Sequence, residues 1–179
     1  MTNEVWVWLD LEMTGLNVEV DQILEVSCIL TTTDLSVYSG VAFSEVVHYG
    51  EDVLEGMSDW CIEHHGNSGL SQAVRESHKS LAEVEKKLIE YIQSQTLPTN
   101  VLYLAGNSIH TDRAFVKRYM PGLESILHYR MLDVTAIAMF AYSMGIPAFE
   151  KRSSHRALDD IKDSIQELRH YKDRLGRAE

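Results

Sequence analysis

The feature that most constrains the fold of this chain is an apolar run near its start. Residues 5–11 read VWVWLDL, so that valine, tryptophan or leucine occupies nearly every position. A strand with one face in water alternates apolar and polar residues, whereas a strand buried on both faces need not. The run therefore predicts a central strand whose two faces are both covered by other layers of the structure.

The rest of the chain supplies candidates for those layers. β-rich runs over about 22–32 and 35–48, joined by a turn at Thr33-Asp34, predict an antiparallel meander with the first strand. Later patterns predict helices over about 58–65, 80–95, 111–119, 133–145 and 154–175, and short strands over about 101–106 and 126–132. This order predicts an α/β fold: a mixed sheet, with an antiparallel meander and parallel strands, flanked by helices.

Some residues mark the expected helix starts. Ser58 is a candidate N-cap, and Ser80 with Glu83 has the spacing of a capping box. The pair Ser153-Ser154 is expected to offer the N-cap of the last helix.

Composition indicates an ordinary globular protein, with one domain expected over residues 1–179. Hydrophobic residues make up 45% of the chain, yet there is no apolar run of membrane-spanning length and no signal-peptide pattern. Cys28 and Cys61 lack metal-ligand spacing, which favours reduced thiols in a reducing compartment. We expect no membrane partner and a cytoplasmic location, or a mitochondrial one if a presequence has been removed.

The net charge restricts the ligands that this chain can bind. It is −11, and no cluster of lysine and arginine exceeds two residues. Proteins that bind long nucleic acids usually carry a basic stripe, because neutralising phosphates dominates their affinity. A nucleic-acid substrate is therefore expected to be short.

Two acids end the apolar run. Asp10 and Glu12 are two residues apart, so in a strand their side chains point to the same face. They precede Thr14-Gly15 and so lie at the carboxyl end of the strand, where α/β sheets build their sites. A solvated strand end is the alternative, but unpaired charge is costly in a central strand.

Three later residues complete a candidate set. Asp112 follows the strand at 101–106, and an acid placed there only for the helix dipole is the alternative. His155 and Asp160 differ by about 140° on one helix, so His155 is expected at the helix start or in the preceding loop. Unrelated exposed side chains are the alternative for both. Together, four carboxylates and a histidine would supply the oxygen ligands and the base of two-metal phosphodiester hydrolysis.

The motifs around these residues resemble the oligoribonuclease family of DEDDh exonucleases, in the ribonuclease H-like superfamily. The matching strings, in the family's order, are DLEMTGL, MSDWCIEHHGNSGL, GNSIHTDRAF, KRYMP, HYRMLDV and SSHRALDDI. The resemblance covers about residues 5–172. It implies a ribonuclease H-like fold, a homodimer, and 3′→5′ hydrolysis of short RNA to nucleoside 5′-monophosphates, with diribonucleotides as the distinctive substrate.

The resemblance also implies a role for each residue of the candidate set. Asp10, Glu12, Asp112 and Asp160 would hold two divalent cations, Mg²⁺ or Mn²⁺. His155 would take a proton from the attacking water.

Leu16, Trp60 and His65 match positions at which the family wedges or stacks against bases. Stacking recognises any base through its π face. The substrate that the resemblance implies is single-stranded RNA of two to about five nucleotides. Ordinary packing is the alternative for each, and for Leu16 alone it is the better interpretation.

The remaining matches concern a cap that the family places over the 5′ phosphate. Ser108, Arg130 and Thr135 match residues of that cap, and His128 and Tyr129 match residues that the partner subunit contributes. Arginine is suited to this role because it grips phosphate with two hydrogen bonds. The family commonly has serine where this chain has Thr135, so an extra methyl group must fit there.

Other classes of function are weaker on the same residues. A DEDDh exonuclease that trims longer RNA or DNA would need a basic approach, and the charge of −11 argues against one. A binding module that has lost catalysis would be expected to lack at least one metal-binding or catalytic residue, whereas all five catalytic positions are present. A purely structural interaction domain leaves the clustered acids unexplained.

Overall fold

A computed structural model of the chain describes residues 3–38, 40–150 and 156–176 and has a mixed five-stranded sheet at its centre. The strands are β1 (Glu4–Met13), β2 (Ile23–Thr31), β3 (Phe43–Val46), β4 (Val101–Gly106) and β5 (Met131–Asp133). They lie in the order β3-β2-β1-β4-β5. β1 is antiparallel to β2, and β2 is antiparallel to β3, whereas β1, β4 and β5 run parallel. The predicted meander and mixed sheet are confirmed.

The middle strand, β1, divides the interior of the protein. Val5, Val7 and Leu9 belong to one cluster of buried apolar side chains. Trp8 points to the opposite face and belongs to a second cluster. The indole N–H of Trp8 donates to Oγ1 of Thr31 at 2.8 Å, so that its polar atom is also satisfied. The apolar run is therefore a central strand buried on both faces, as predicted.

Helices cover both faces of the sheet. They are α1 (Glu51–Glu55), α2 (Asp59–Asn67), α3 (Leu70–Glu76), α4 (Leu81–Gln95), α5 (His110–Tyr119), α6 (Pro121–Ile126), α7 (Val134–Ser143) and α8 (Ala157–Leu175). α4, α5 and α6 pack in the cluster that contains Leu9, and α7 and α8 pack in the cluster that contains Trp8. α1, α2 and α3 form a third cluster around Leu24 of β2.

The predicted helix starts at Ser58 and Ser80 are confirmed. Ser58 is the N-cap of α2, and its side chain accepts a hydrogen bond from the N–H of Cys61. Ser80 and Glu83 form a complete capping box at the start of α4.

The predicted strand over 126–132 is wrong in its first half. Pro121–Ile126 forms a helix, and the strand begins only at Met131. Proline suits the first turn of a helix because its fixed φ is helical and it lacks an N–H that would go unpaired. Leu123 is fully buried and anchors this turn in the core.

Two shorter differences also have local causes. The predicted run over 35–48 forms a strand only at Phe43–Val46, and Val37 adds one isolated bridge to Thr31. The helix Glu51–Glu55 was not predicted, since five residues are too few to display a helical period.

The expectations about cysteines and membranes can be compared with the same structure. Cys28 and Cys61 are both buried and neither forms a disulfide. In the described part of the chain, no helix is both long and apolar enough to cross a lipid bilayer.

Candidate active site

Asp10 and Glu12 lie at the carboxyl end of β1, where the neighbouring parallel strand has already ended. The ladder between β1 and β4 stops two residues before Asp10. Beyond that point, the N–H of Leu11 donates to Oδ1 of Asp112 at 3.0 Å. Asp112, in the first turn of α5, thus accepts a hydrogen bond from β1 where β4 no longer pairs with it. This bond fixes Asp112 beside the backbone between Asp10 and Glu12.

Asp160 reaches the same place from the start of α8. Asp10 and Glu12 share a face of β1 with Trp8, and α8 packs on that face. One carboxylate oxygen from each of Asp10, Glu12 and Asp160 lies within 4.8 Å of the others. The structure therefore brings together the four predicted acids, three as a close group and Asp112 bonded alongside.

Burial disfavours ionisation of Asp10, Glu12 and Asp112, and repulsion from the other acids adds to this effect at Asp10 and Glu12. Burial first, and then the charges of Asp112, Glu12 and Asp160, hold the pKa of Asp10 well above its usual range. The pKa of Glu12 is raised to about 8, mainly by burial and then by Asp160 and Glu25. Burial also raises the pKa of Asp112 to about 7, although the bond from Leu11 opposes this.

The donor set indicates which cations suit the site. Asp10, Glu12, Asp112 and Asp160 offer only carboxylate oxygens, the hard ligands that Mg²⁺ and Mn²⁺ prefer. A divalent cation would also offset the burial and repulsion that raise the pKa values of Asp10 and Glu12. The four residues therefore fit divalent metal ions and do not fit a soft-metal site.

A cavity of about 590 Å³ opens beside Glu12. Leu16, Trp60 and His65 are among the residues that line it. Leu16 and Trp60 are 77% and 65% exposed, which is unusual for large apolar side chains and leaves both available to a ligand. His65 lies deeper: it is 2% exposed, and its Nε2 is 2.9 Å from the carbonyl oxygen of Met13.

The loop that presents Leu16 is held by a carboxylate that sequence reasoning missed. Oδ1 of Asp21 accepts from the hydroxyl of Thr14, and Oδ2 accepts from the N–H of Asn17, each at 2.8 Å. A Cβ atom at Gly15 would lie 2.5 Å from Oδ2 of Asp21, so glycine is needed at that position. The loop is therefore tightly fixed, even though Leu16 projects into solvent.

Ser108 and Thr135 meet at the ends of β4 and β5. The N–H of Ser108 donates to Oγ1 of Thr135 and to Oδ1 of Asp133, both at 3.0 Å. The hydroxyls of Ser108 and Thr135 are 3.2 Å apart. Asp133 also caps α7 by accepting from the N–H of Thr135, so one carboxylate organises the whole corner.

The other predicted cap residues lie before β5 and not after it. The guanidinium of Arg130 is 5.3 Å from the ring centroid of Tyr129, which is 70% exposed. The ring of His128 lies between those of Tyr129 and Tyr103, at 4.5 and 4.7 Å. Arg130 lines a different cavity, of about 400 Å³, from the one beside Glu12.

The last catalytic candidate, His155, lies outside the described residues. So do Ser153 and Ser154, the predicted N-cap of α8. Arg156 holds the N-cap position of that helix, and no side-chain hydrogen bond caps it.

Sequence reasoning also missed an ion pair next to Glu12, between Glu25 and Arg156. Glu25 of β2 is 1% exposed and is the cross-strand partner of Glu12. Arg156 donates to both of its carboxylate oxygens, at 2.8 and 3.1 Å. The one available signal was a lone glutamate inside the apolar run ILEVSCIL.

Comparisons with known proteins agree with this geometry. The model of the RNase_T family, described as an exonuclease, matches residues 7–168. The chain is 48% identical over 171 residues to an oligoribonuclease of Neisseria meningitidis serogroup B, which covers 93% of this chain and 89% of the relative. It is 42% identical over 173 residues to the human mitochondrial oligoribonuclease, which covers 94% and 72% of the two chains.

Solved structures support the fold alone. Escherichia coli exonuclease I, in a complex with single-stranded DNA, superposes with a TM-score of 0.72 at 16% identity. The match covers 97% of this chain but only 41% of that one. An exonuclease I from Methylocaldum szegediense gives a TM-score of 0.74 with the same shares, so the chain spans less than half the length of either solved protein.

The raised pKa values predict how the stability of the metal-free protein depends on pH. Between the ordinary carboxyl pKa of about 4 and the pKa of Glu12, about 8, the folded state binds more protons than the unfolded chain. The free energy of unfolding therefore falls as pH rises through this window. Thermal unfolding in EDTA should give a Tm that decreases between about pH 5.5 and 8.5. Added Mn²⁺ should raise Tm most at the alkaline end, because cations compete with protons for the carboxylates.

A Glu12→Gln variant is the control for this effect. It lacks the group that titrates near pH 8, so its Tm should change less over the alkaline half of the range. A Tm that rises with pH in EDTA, or an equal slope in the variant, would contradict the electrostatic account.

Proposed function

We propose that this chain, which belongs to the RNase_T exonuclease family and to the oligoribonucleases within it, is a 3′→5′ exoribonuclease. It degrades short oligoribonucleotides, especially diribonucleotides, to nucleoside 5′-monophosphates. The observation that carries the proposal is the convergence of Asp10, Glu12 and Asp160 within 4.8 Å, beside a cavity of about 590 Å³.

The acids are proposed to act as metal ligands. Asp10, Glu12, Asp112 and Asp160 would hold two divalent cations, Mg²⁺ or Mn²⁺. Such cations, when bound, supply an activated water and stabilise the charge that develops on the phosphate and the leaving oxygen. The bond from Leu11 supports this assignment, since it holds Asp112 in place before any ligand arrives.

His155 is proposed to accept the proton of the attacking water. The intrinsic pKa of histidine lies near neutrality, so a neutral imidazole is available as a base where the enzyme works. The assignment rests on the resemblance of the SSHRALDDI motif to the family.

The charge of the chain and the residues that line its cavity support short substrates. Trp60 is 65% exposed at the cavity, where it would stack on a base of any identity. Leu16 would wedge against the neighbouring base, and His65 would close the floor of the cavity. The net charge of −11 offers no extended basic surface for a longer strand.

The cap over the 5′ phosphate is proposed to be completed by a second subunit. Within one chain Arg130 lies before β5, whereas Ser108 and Thr135 meet after its end. His128 and Tyr129 of one subunit would then complete the cap of the other. The 70% exposure of Tyr129 supports such a contact.

A homodimer of single-domain subunits is the proposed assembly. At the end of α7 an exposed apolar group comprises Met139, Phe140, Tyr142 and Met144. Each of these side chains is at least 52% exposed. Large exposed apolar side chains grouped on one helix suit a protein interface, here with a second copy of the chain.

A cytoplasmic location is proposed, with a mitochondrial one as the alternative. One relative is an oligoribonuclease of the bacterium Neisseria meningitidis, and another, from human, is named as mitochondrial. Localisation of a tagged full-length protein in its own cells separates the two.

Removing a single carboxylate should lower turnover by orders of magnitude without unfolding the protein. Asp10→Asn and Asp112→Asn are each expected to lower kcat by about 10² or more, because metal-held charge stabilisation contributes several kcal/mol to the reaction. Hydrolysis of a 5′-phosphorylated diribonucleotide with Mn²⁺, together with circular dichroism, measures both properties. Asp159→Asn is the matched control, since Asp159 adjoins Asp160 but is 53% exposed and paired with Lys162. Normal turnover in either site variant would overturn the metal assignment.

The rate should be highest for the shortest substrate, whereas the rate of a general exonuclease should rise with substrate length. On 5′-phosphorylated RNA of two to about seven nucleotides, kcat/KM should be highest for the dinucleotide, because only its terminal phosphate fits the cap. Arg130→Ala should cost more on the dinucleotide than on the pentamer. Rates that climb with length would instead support a general exonuclease, and equal losses in the variant would remove Arg130 from the cap.

The exposed group on α7 should be needed for assembly and for the cap. Phe140→Asp is expected to give monomers by size-exclusion chromatography with light scattering, because it puts charge into the proposed apolar interface. The monomer should lose activity on the dinucleotide while remaining folded. Leu97→Asp is the control, since Leu97 is also large and 68% exposed but lies in the turn after α4. A Phe140→Asp dimer would place the interface elsewhere.

A further inference from the structure

We propose that Arg156 is a positioning residue, which sets the place of Asp160 against Glu12 through its ion pair with Glu25. This inference rests on the proposed function of the acids as a metal site. It adds two residues, Arg156 and Glu25, that would touch neither metal nor substrate.

The ion pair has the geometry of a fixed connection. Nη2 of Arg156 donates to Oε1 of Glu25 at 2.8 Å, and Nε donates to Oε2 at 3.1 Å. Such two-point pairing sets the orientation as well as the distance of the guanidinium. Glu25 cannot turn away to meet it elsewhere, because it is 1% exposed in a strand that is buried along its whole length.

The pair closes a ring of contacts that contains two of the proposed ligands. Glu25 is the direct cross-strand partner of Glu12 in the β1–β2 ladder. Arg156 is the N-cap residue of α8, and its carbonyl oxygen accepts from the N–H of Asp160 at 3.1 Å. The path from Glu12 to Asp160 therefore runs through one ladder pair, one ion pair and one helical hydrogen bond.

The first turn of α8 also bonds to the backbone of Arg156. No side-chain hydrogen bond caps the helix at Arg156. The carbonyl of the same residue also accepts from the N–H of Asp159 at 2.9 Å, so two N–H groups of the first turn bond to Arg156. Moving this residue would move Asp160, whereas Asp10 and Glu12 would stay on β1.

In the alternative explanation, Arg156 contributes only its positive charge and does not position Asp160. Its guanidinium would neutralise Glu25 and so moderate the negative potential around the acids. The two accounts predict opposite effects of Arg156→Gln on cation binding. Loss of position weakens binding because Asp160 leaves the site, while loss of positive charge strengthens binding because the site becomes more negative.

The experiment measures Mn²⁺ binding to the full chain by isothermal titration calorimetry, with kcat on a diribonucleotide at saturating Mn²⁺ as a second readout. The variants are Arg156→Gln, Arg156→Lys, Glu25→Gln and the Glu25→Gln/Arg156→Gln double variant. Arg75→Gln is the matched control, because Arg75 makes the same two-point pair with Glu51 at 2.6 and 2.9 Å but on the surface.

Positioning predicts that Arg156→Gln weakens Mn²⁺ binding by about tenfold or more, the usual effect of losing a residue that orients metal ligands. The double variant should still bind Mn²⁺ weakly, even though its net charge equals that of the wild type. Arg156→Lys, which keeps the charge but not the fork, should bind with intermediate strength. Arg75→Gln should bind like the wild type.

Three outcomes would overturn the inference. They are unchanged or tighter Mn²⁺ binding by Arg156→Gln, wild-type binding by the double variant, and full rescue by lysine. If Arg156→Gln does not fold, as judged by circular dichroism, Arg156→Lys decides alone: weakened binding supports positioning and wild-type binding excludes it. A wild-type protein that binds no Mn²⁺ and cleaves no dinucleotide would instead overturn the proposed function.

Discussion

The desolvation and mutual repulsion of the carboxylates at the end of β1 are the constraint on which the rest of the site depends. Asp10 and Glu12 lie at the end of a strand that is buried on both faces, so they are poorly solvated whether or not a ligand is there. Four acids in such a place stabilise the fold only when protons or cations neutralise them. The surrounding structure therefore holds them together against a force that would drive them apart.

The sheet supplies most of that restraint. β4 ends before β1 does, which leaves a backbone N–H for Asp112 to bind. β2 continues past the same point and carries Glu25, to which the start of α8 is tied through Arg156. The acids thus come from three different elements, yet each is attached to β1 or to its direct neighbour. Strands of unequal length are what make room for the site.

The sequence allowed some parts of this arrangement to be predicted, and the reason differs from residue to residue. Asp10 and Glu12 were predictable because a strand has a period of two, and Asp112 because a strand-turn-helix junction precedes it. The ion pair between Glu25 and Arg156 was not, since the two residues are 131 positions apart and only packing brings them together. The start of α6 was missed because apolar residues in a short helix do not reveal whether they repeat as a strand or a helix.

The acidity of the chain bears on substrate length once these constraints are combined. An anionic substrate is repelled by a net charge of −11, and each further phosphate adds to that repulsion unless basic groups meet it. Cations held by the carboxylates, as proposed, would offset this only for the phosphate next to them, because screening limits their reach to about 10 Å. A dinucleotide has one internal phosphate and at most one terminal phosphate, which a local arginine can meet. On the proposed function, the same charge that suits the site to metal would therefore also select against long strands.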